Sequence, residues 1–252
     1  MRRDLRIKRL AEHLKQEHYR SPIAEYIREV VYGGVDGIVT TFAVVAGFSG
    51  AALSSDTTTQ LSFLVVLLFG LANLFADGVS MGLGNFLSVL SDRDYYRMAE
   101  GKELDEIRKN PEDEYQETIT LMVQKGFSEV DARKLADIYR TNETYWVDFM
   151  MTHELKMTNP DGENPFFTGL VTFIAFLAFG IIPLLPFMIL GSIDSRSAFA
   201  YSIVGTFSAL LLLGLVKWRV IGDNFWKSVF EVLFVGGVAA SVAFLVGSFF
   251  SI

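Results

Sequence analysis

Three acidic patterns carry the most specific chemistry in this sequence. Glu103 and Glu106 stand three residues apart, and Glu114 and Glu117 repeat that spacing. Met150-Met151-Thr-His-Glu154 then sets two thioethers three and four residues before a carboxylate. At such spacings each group falls on one face of a helix, where like charges cost roughly 0.2–0.5 kcal/mol per pair. A bound cation would reverse that sign. Oxygen ligands beside a soft sulfur suit a divalent first-row metal better than calcium or magnesium. The spacing leaves a second reading open, a solvated acidic face with Met150 or Met151 in a small core.

Two more acids lie where charge is expensive. Asp36 is the only charge in VYGGVDGIVTTFAVVAGFSGA, Val31 to Ala51, and Asp77 is the only one between Leu61 and Leu90. A bare carboxylate in hydrocarbon costs about 2.5–3.5 kcal/mol even on forgiving scales. At 1.5 Å per residue, Asp36 lies roughly 9 Å from the inner end of its run and Asp77 roughly 24 Å from the outer end of the next. The two therefore come to similar depth. Met81 follows Asp77 by one turn and Asn85 by two, on the same face. A cation held by Asp36, Asp77 and Met81 would offset the cost of burying both acids; the alternative is that each caps or snorkels separately. Gly33, Gly34 and Gly37 flank Asp36, and Gly78, Gly82 and Gly84 flank Asp77 and Met81. Such glycines let helix backbones approach closely, either to join the two acid-bearing helices or as ordinary packing.

The elements that must position these groups follow from hydropathy. The 252 residues are 51% hydrophobic and yet 20% charged, with a net charge of −7. That combination fits charges confined to certain stretches. Five runs are long enough to span a bilayer, which takes about 20 residues: Val30–Leu53, Leu61–Leu90, Phe166–Leu190, Ala198–Val216 and Ser228–Phe250. The second is too long for the hydrocarbon layer, so its end is expected to leave the membrane and feed the polar insert. Pro183-Leu-Leu-Pro186 should kink the third. All lysines and arginines except Arg196 fall in residues 1–29, 91–165 and 217–227. The positive-inside rule then puts the N-terminus and the insert in the cytoplasm and the C-terminus on the opposite side.

The fold expected is an all-α integral membrane protein of five transmembrane helices, with a three-helix cytoplasmic insert between spans two and three. Its parts are an amphipathic N-terminal helix (1–29, with Ile7, Leu10 and Leu14 at helical spacing), spans one and two (30–90), the acidic insert (91–163) and spans three to five (164–252). Within the insert, Asn110-Pro111 and Gly126-Phe127 divide three helices, Arg93–Lys109, Glu112–Lys125 and Glu129–Met157.

Several classes are disfavoured. The negative charge makes nucleic acid a poor partner. Without cysteine there are no disulfides, thiolate chemistry or Cys-ligated zinc and iron–sulfur sites. None of the three histidines (His13, His18, His153) lies in an apolar run. The N-terminus is polar for too long to read as a cleavable signal peptide. No nucleophile has a recognisable base beside it, so an enzyme is not expected.

The longer motifs resemble a known family. Gly33-Gly-Val-Asp36-Gly-Ile-Val-Thr with Val45-Ala-Gly-Phe-Ser-Gly-Ala51 is similar to the first helix of the vacuolar iron transporters. Ser80-Met81-Gly-Leu-Gly84-Asn-Phe-Leu-Ser88 with Asp92-Arg-Asp94 is similar to their second. Asn164-Pro165, Pro183-Leu-Leu-Pro186-Phe, and Glu231 with Gly236-Gly237-Val-Ala-Ala fit the later helices. The resemblance implies a homodimer of five-helix subunits in the lipid bilayer, exporting cytosolic Fe²⁺, with Mn²⁺ or Zn²⁺ as further cargo, in exchange for protons. It implies that Asp36 and Met81 line the ion path, and that Glu103, Glu106, Glu114, Glu117, Met150, Met151 and Glu154 bind metal in the insert. The sequence departs from the family at Asn85, where a glutamate is usual, and at Asp77, where the family is usually apolar. A carboxylate shifted by two turns along one face would explain both. Glu29, seven residues before Asp36 on the same face, is a further entry group. A membrane-anchored metal buffer or sensor, and a passive cation channel, are the alternatives to an exchanger.

Overall fold

The computed structural model of the chain describes residues 22–53, 59–189 and 195–249. The expected amphipathic N-terminal helix lies, up to residue 21, outside the described residues, and so do His13 and His18. The described residues form helices and no strand. After one helical turn at Pro22–Glu25 come α1 (Ile27–Leu53), α2 (Thr59–Lys109), α3 (Pro111–Gln124), α4 (Glu129–Tyr139) and α5 (Glu143–His153). Then follow α6 (Pro165–Gly180), α7 (Leu185–Ile189), α8 (Ser195–Ile221) and α9 (Phe225–Phe249). The chain divides into two compact units, residues 1–85 with 167–252, and residues 86–166.

The first unit holds the apolar helices. Among the described residues five stretches are long and apolar enough to cross a membrane: Ile27–Phe48, Leu64–Lys109, Pro165–Ile189, Ser197–Ile221 and Phe225–Val246. In the second stretch the apolar residues end at Leu90, and Asp92 opens a charged sequence, so only the part before it suits hydrocarbon. The helix itself continues for 51 residues, roughly 75 Å at 1.5 Å per residue. Leu64, Leu68, Phe75, Val79 and Leu83 on α2 are all more than 40% exposed. In water such a stripe would be an aggregation hazard; in lipid it is the expected outer surface.

Helix α6 packs against both α1 and α2 through glycine. A Cβ at Gly37 would lie 2.3 Å from the Phe176 carbonyl oxygen, and one at Gly82 would lie 2.9 Å from that of Gly169. Gly33, Gly37 and Gly82 thus admit the backbone of α6, as ordinary packing would have it. The third span breaks at its prolines as expected. α6 ends at Gly180, a 3-10 turn covers Ile182–Leu184, and α7 resumes at Leu185. Ser202 on α8, fully buried, donates a 2.7 Å hydrogen bond to the Pro183 carbonyl. A neighbouring helix thereby satisfies an acceptor in the break, as hydrocarbon surroundings require.

The second unit is a small water-type domain with its own core. Tyr96, Ile107, Tyr115, Ile119, Met122, Trp146, Val147, Met150 and Met151 pack together. Pro111 enters in the first turn of α3, where its missing N–H costs nothing. Gly126, at φ +100°, ends that helix. The third helix expected of the insert, Glu129–Met157, is in fact two. The chain turns at Arg140–Asn142, and the Asn142 side chain caps α5 by accepting from the Tyr145 N–H at 3.2 Å. Asparagine competes well for such a cap, a signal that helical periodicity alone passes over. Chain after His153 is no longer helical up to Asn159.

Candidate metal sites

In the second unit three of the expected ligands converge. Glu103 comes from the charged end of α2, Glu114 from the first turn of α3 and Glu154 from the end of α5. One carboxylate oxygen of each lies within 4.8 Å of the others. Glu103 is 2% exposed and Glu114 6%. Buried carboxylates normally find hydrogen-bond donors. Here Glu103 Oε1, Glu114 Oε2 and Glu154 Oε2 are buried with no partner. Three such acceptors at one point could supply a cation's donor set.

The electrostatics agree. Burial first, then the charges of Glu154, Glu114 and Glu106, pushes the Glu103 carboxyl up to about 8 from the ordinary 4.5. Burial, with Glu117 and Glu154 next, raises Glu114 to about 7. Glu154 is raised by burial and by Glu117 and Glu106, with Lys102 opposing. Near neutral pH the cluster therefore keeps protons that a divalent cation would displace. Glu106 and Glu117 stand at the rim of this field; Glu106 also pairs with Lys102 at 3.5 Å, and Glu117 is exposed.

Met150 and Met151 are fully buried in the core of the same unit. The alternative reading expected one of them in a small core, and both are there. Met150 also reaches a polar group, with its Sδ 3.4 Å from Thr118 Oγ1.

In the first unit Asp36 and Asp77, from α1 and α2, lie within Coulombic range of each other. Asp77 accepts a 2.7 Å hydrogen bond from Asn73, one turn earlier on α2. The Asp36 carbonyl accepts from Thr40 at 2.8 Å. Asp36 also lines a recess of about 630 Å³ between α1, α8 and α9, whose walls include Arg28, Tyr32, Lys217 and Val235. Lys217 is bonded to Glu231 on α9. Met81 packs with the Val45–Phe176 core. Asn85 donates to Thr172 on α6 at 2.8 Å, and Thr172 donates onward to the Thr168 carbonyl at 2.9 Å. Asn85 thus ties α2 to α6. Glu29 is buried and accepts from Arg28 Nε at 3.0 Å.

Sequence reasoning passed over Asn73, Thr118, Trp146, Thr172 and Lys217. Asn73 and Thr118 carried a legible signal, each standing four residues from a candidate acid on the same face. Thr172 and Lys217 carried none, since their partners lie on other helices.

Comparison with known proteins follows the same lines. Residues 27–248 match the VIT family. A vacuolar iron transporter of Toxoplasma gondii is 36% identical over 241 residues, 92% of this chain and 77% of that protein. Vacuolar iron transporter 1 of Arabidopsis thaliana is 33% identical over 235 residues, 93% of this chain and 89% of that protein. A vacuolar iron transporter of Plasmodium falciparum is 32% identical over 228 residues, 88% of this chain and 81% of that protein.

Proposed function

The chain belongs to the VIT family, and from that premise we propose that it carries a divalent metal ion out of the cytosol in exchange for protons. Fe²⁺ is the first cargo, with Mn²⁺ and Zn²⁺ as lesser ones. The observation that carries the reading is that two separate apolar spans of a multi-pass membrane protein each carry an acid, Asp36 and Asp77, near enough for the charge of Asp77 to act on Asp36. A structure that only anchored a soluble metal-binding unit would have no use for such a pair, at about 2.5–3.5 kcal/mol for each charge.

The insert collects the ion on Glu103, Glu114 and Glu154, with Glu106 and Glu117 drawing it in. Asp36, Asp77 and the Met81 thioether then replace part of its water shell, and Glu29 marks the approach. Release follows when the acids take protons from the outer compartment, which makes the exchange. Two subunits complete the path, as the resemblance of the helix motifs implies. The N-terminus and insert face the cytosol.

The test is flux. Purified protein goes into liposomes that hold a metal-sensing dye and a pH dye, and Fe²⁺ is added under reducing conditions. Metal entry with counter-moving protons is expected, abolished in Asp36→Ala and reduced in Asp77→Ala. An Asp36→Ala variant as active as the parent would overturn the reading. Saturable binding without entry would make the protein a metal buffer, and entry without proton movement a channel.

A further inference from the structure

Helices α3 and α5 place two side-chain layers next to each other. Glu114 of α3 and Glu154 of α5 meet in the carboxylate layer. Thr118 follows Glu114 by four residues and Met150 precedes Glu154 by four, so these two meet one turn along, 3.4 Å apart. Trp146, another turn back on α5, donates its indole N–H to the same Thr118 oxygen at 2.7 Å. The Glu114 carbonyl lies 2.8 Å from that oxygen on the other side. Thr118 and Met150 are fully buried and Trp146 is 3% exposed.

A hydroxyl has one proton to give, and a thioether is a weak acceptor. The Thr118 proton therefore goes to the Glu114 carbonyl, and the oxygen receives the indole N–H. That oxygen is pinned from two directions. The Met150 sulfur lies 3.4 Å from that fixed oxygen.

We propose that Thr118 is a specificity-determining positioning residue: with Trp146 it fixes the Met150 thioether one turn from the three carboxylates, where a soft divalent ion recruits it and a hard ion does not. The proposal rests on the reading of Glu103, Glu114 and Glu154 as the metal-collecting site and adds what sets its preference. Thioether ligands select softer ions. Partners that orient a ligand change metal affinity about 10- to 100-fold.

The full-length protein in detergent tests this, with Trp218→Phe and Trp226→Phe leaving Trp146 as the sole indole. Cd²⁺ serves as the soft probe and Mn²⁺ as the hard one, and binding is followed by Trp146 emission and by equilibrium dialysis. Cd²⁺ is expected to shift the emission and Mn²⁺ to leave it nearly unchanged. Thr118→Val, which keeps the shape and removes the hydroxyl, is expected to weaken Cd²⁺ by about tenfold and Mn²⁺ by less than about twofold. Thr118→Ser restores the parent ratio. In a Met150→Leu background Thr118→Val has no further effect on Cd²⁺, because coupled residues do not add. Equal losses for both ions, or effects of the two variants that add in full, would overturn the proposal and leave Thr118 a packing residue. Should Thr118→Val not fold, equal emission responses of the Thr118-containing protein to Cd²⁺ and Mn²⁺ would overturn it as well. Unchanged binding of both ions in Glu103→Gln and Glu114→Gln would instead remove the site itself, and the proposal with it.

Discussion

A buried carboxylate without a donor is unstable as an anion, and the protein keeps three of them at one point. Their protons are the natural competitors of a metal. Glu103 is raised to about 8 and Glu114 to about 7, so both are largely protonated at about pH 6 and Glu103 is mostly ionised only above its own value. The sign follows directly: as pH falls through about 8 and then about 7, each displaced proton weakens metal binding, up to roughly tenfold per pH unit. Titration calorimetry of the purified protein with Mn²⁺ should show tighter binding at about pH 8.5 than at about pH 6, with proton release at the lower pH. Glu103→Gln removes one ligand and the highest-titrating proton. It should weaken binding at the higher pH by at least about tenfold, or about 1.4 kcal/mol, and flatten the pH dependence. Equal affinity at both pH values in the parent would show that these carboxylates are not ligands.

At the scale of helices, the spans meet through backbone contact that side chains cannot tolerate. A methyl group at Gly37 would stand 2.3 Å from a carbonyl of α6, whereas one at Gly84 would meet nothing within 4 Å. Gly37→Ala should therefore push α1 off α6 and cost about 1–3 kcal/mol, lowering the thermal midpoint in detergent. Gly84→Ala, next to Asn85 on α2, should leave it unchanged. A harmless Gly37→Ala would contradict the close packing. This contrast also shows what the sequence made legible. The five apolar runs, the proline break after Gly180 and the acidic spacing were all readable, because hydropathy and i,i+3 periodicity are local properties. The partner of each glycine was not, because α6 follows the insert and lies far from Gly33 and Gly82 in sequence. For the same reason Asn85 read as a replaced ligand, while the structure ties it to Thr172. Of the insert's acids, spacing singled out five, and only the fold brings Glu103, Glu114 and Glu154 within 4.8 Å of one another. The split at Asn142 was legible in principle, as asparagine before Glu143 is a cap signal.

Across the whole molecule charge is sorted by sign and by segment. The insert from Ser91 to Glu163 holds 18 of the 29 acids, an anionic field that raises the local concentration of cations. It nevertheless carries ten of the 22 lysines and arginines between residues 91 and 165, and orientation follows those bases rather than net charge. By the same rule the α8–α9 connection, flanked by Lys217, Arg219 and Lys227, is expected on the insert's side. Because the chain has no cysteine, single cysteines report sidedness without background. Thr120→Cys on the exposed face of α3 and Asp223→Cys between α8 and α9 should both react with a membrane-impermeant maleimide in inside-out vesicles. Neither should react in sealed right-side-out ones. Labelling of the two on opposite faces would break the five-crossing topology. Labelling of both from outside would invert it, and the insert would then collect metal for entry into the cytosol instead of removal from it. On the proposed reading the side on which the carboxylates wait decides the direction of transport, and two cysteines report that side independently of any flux.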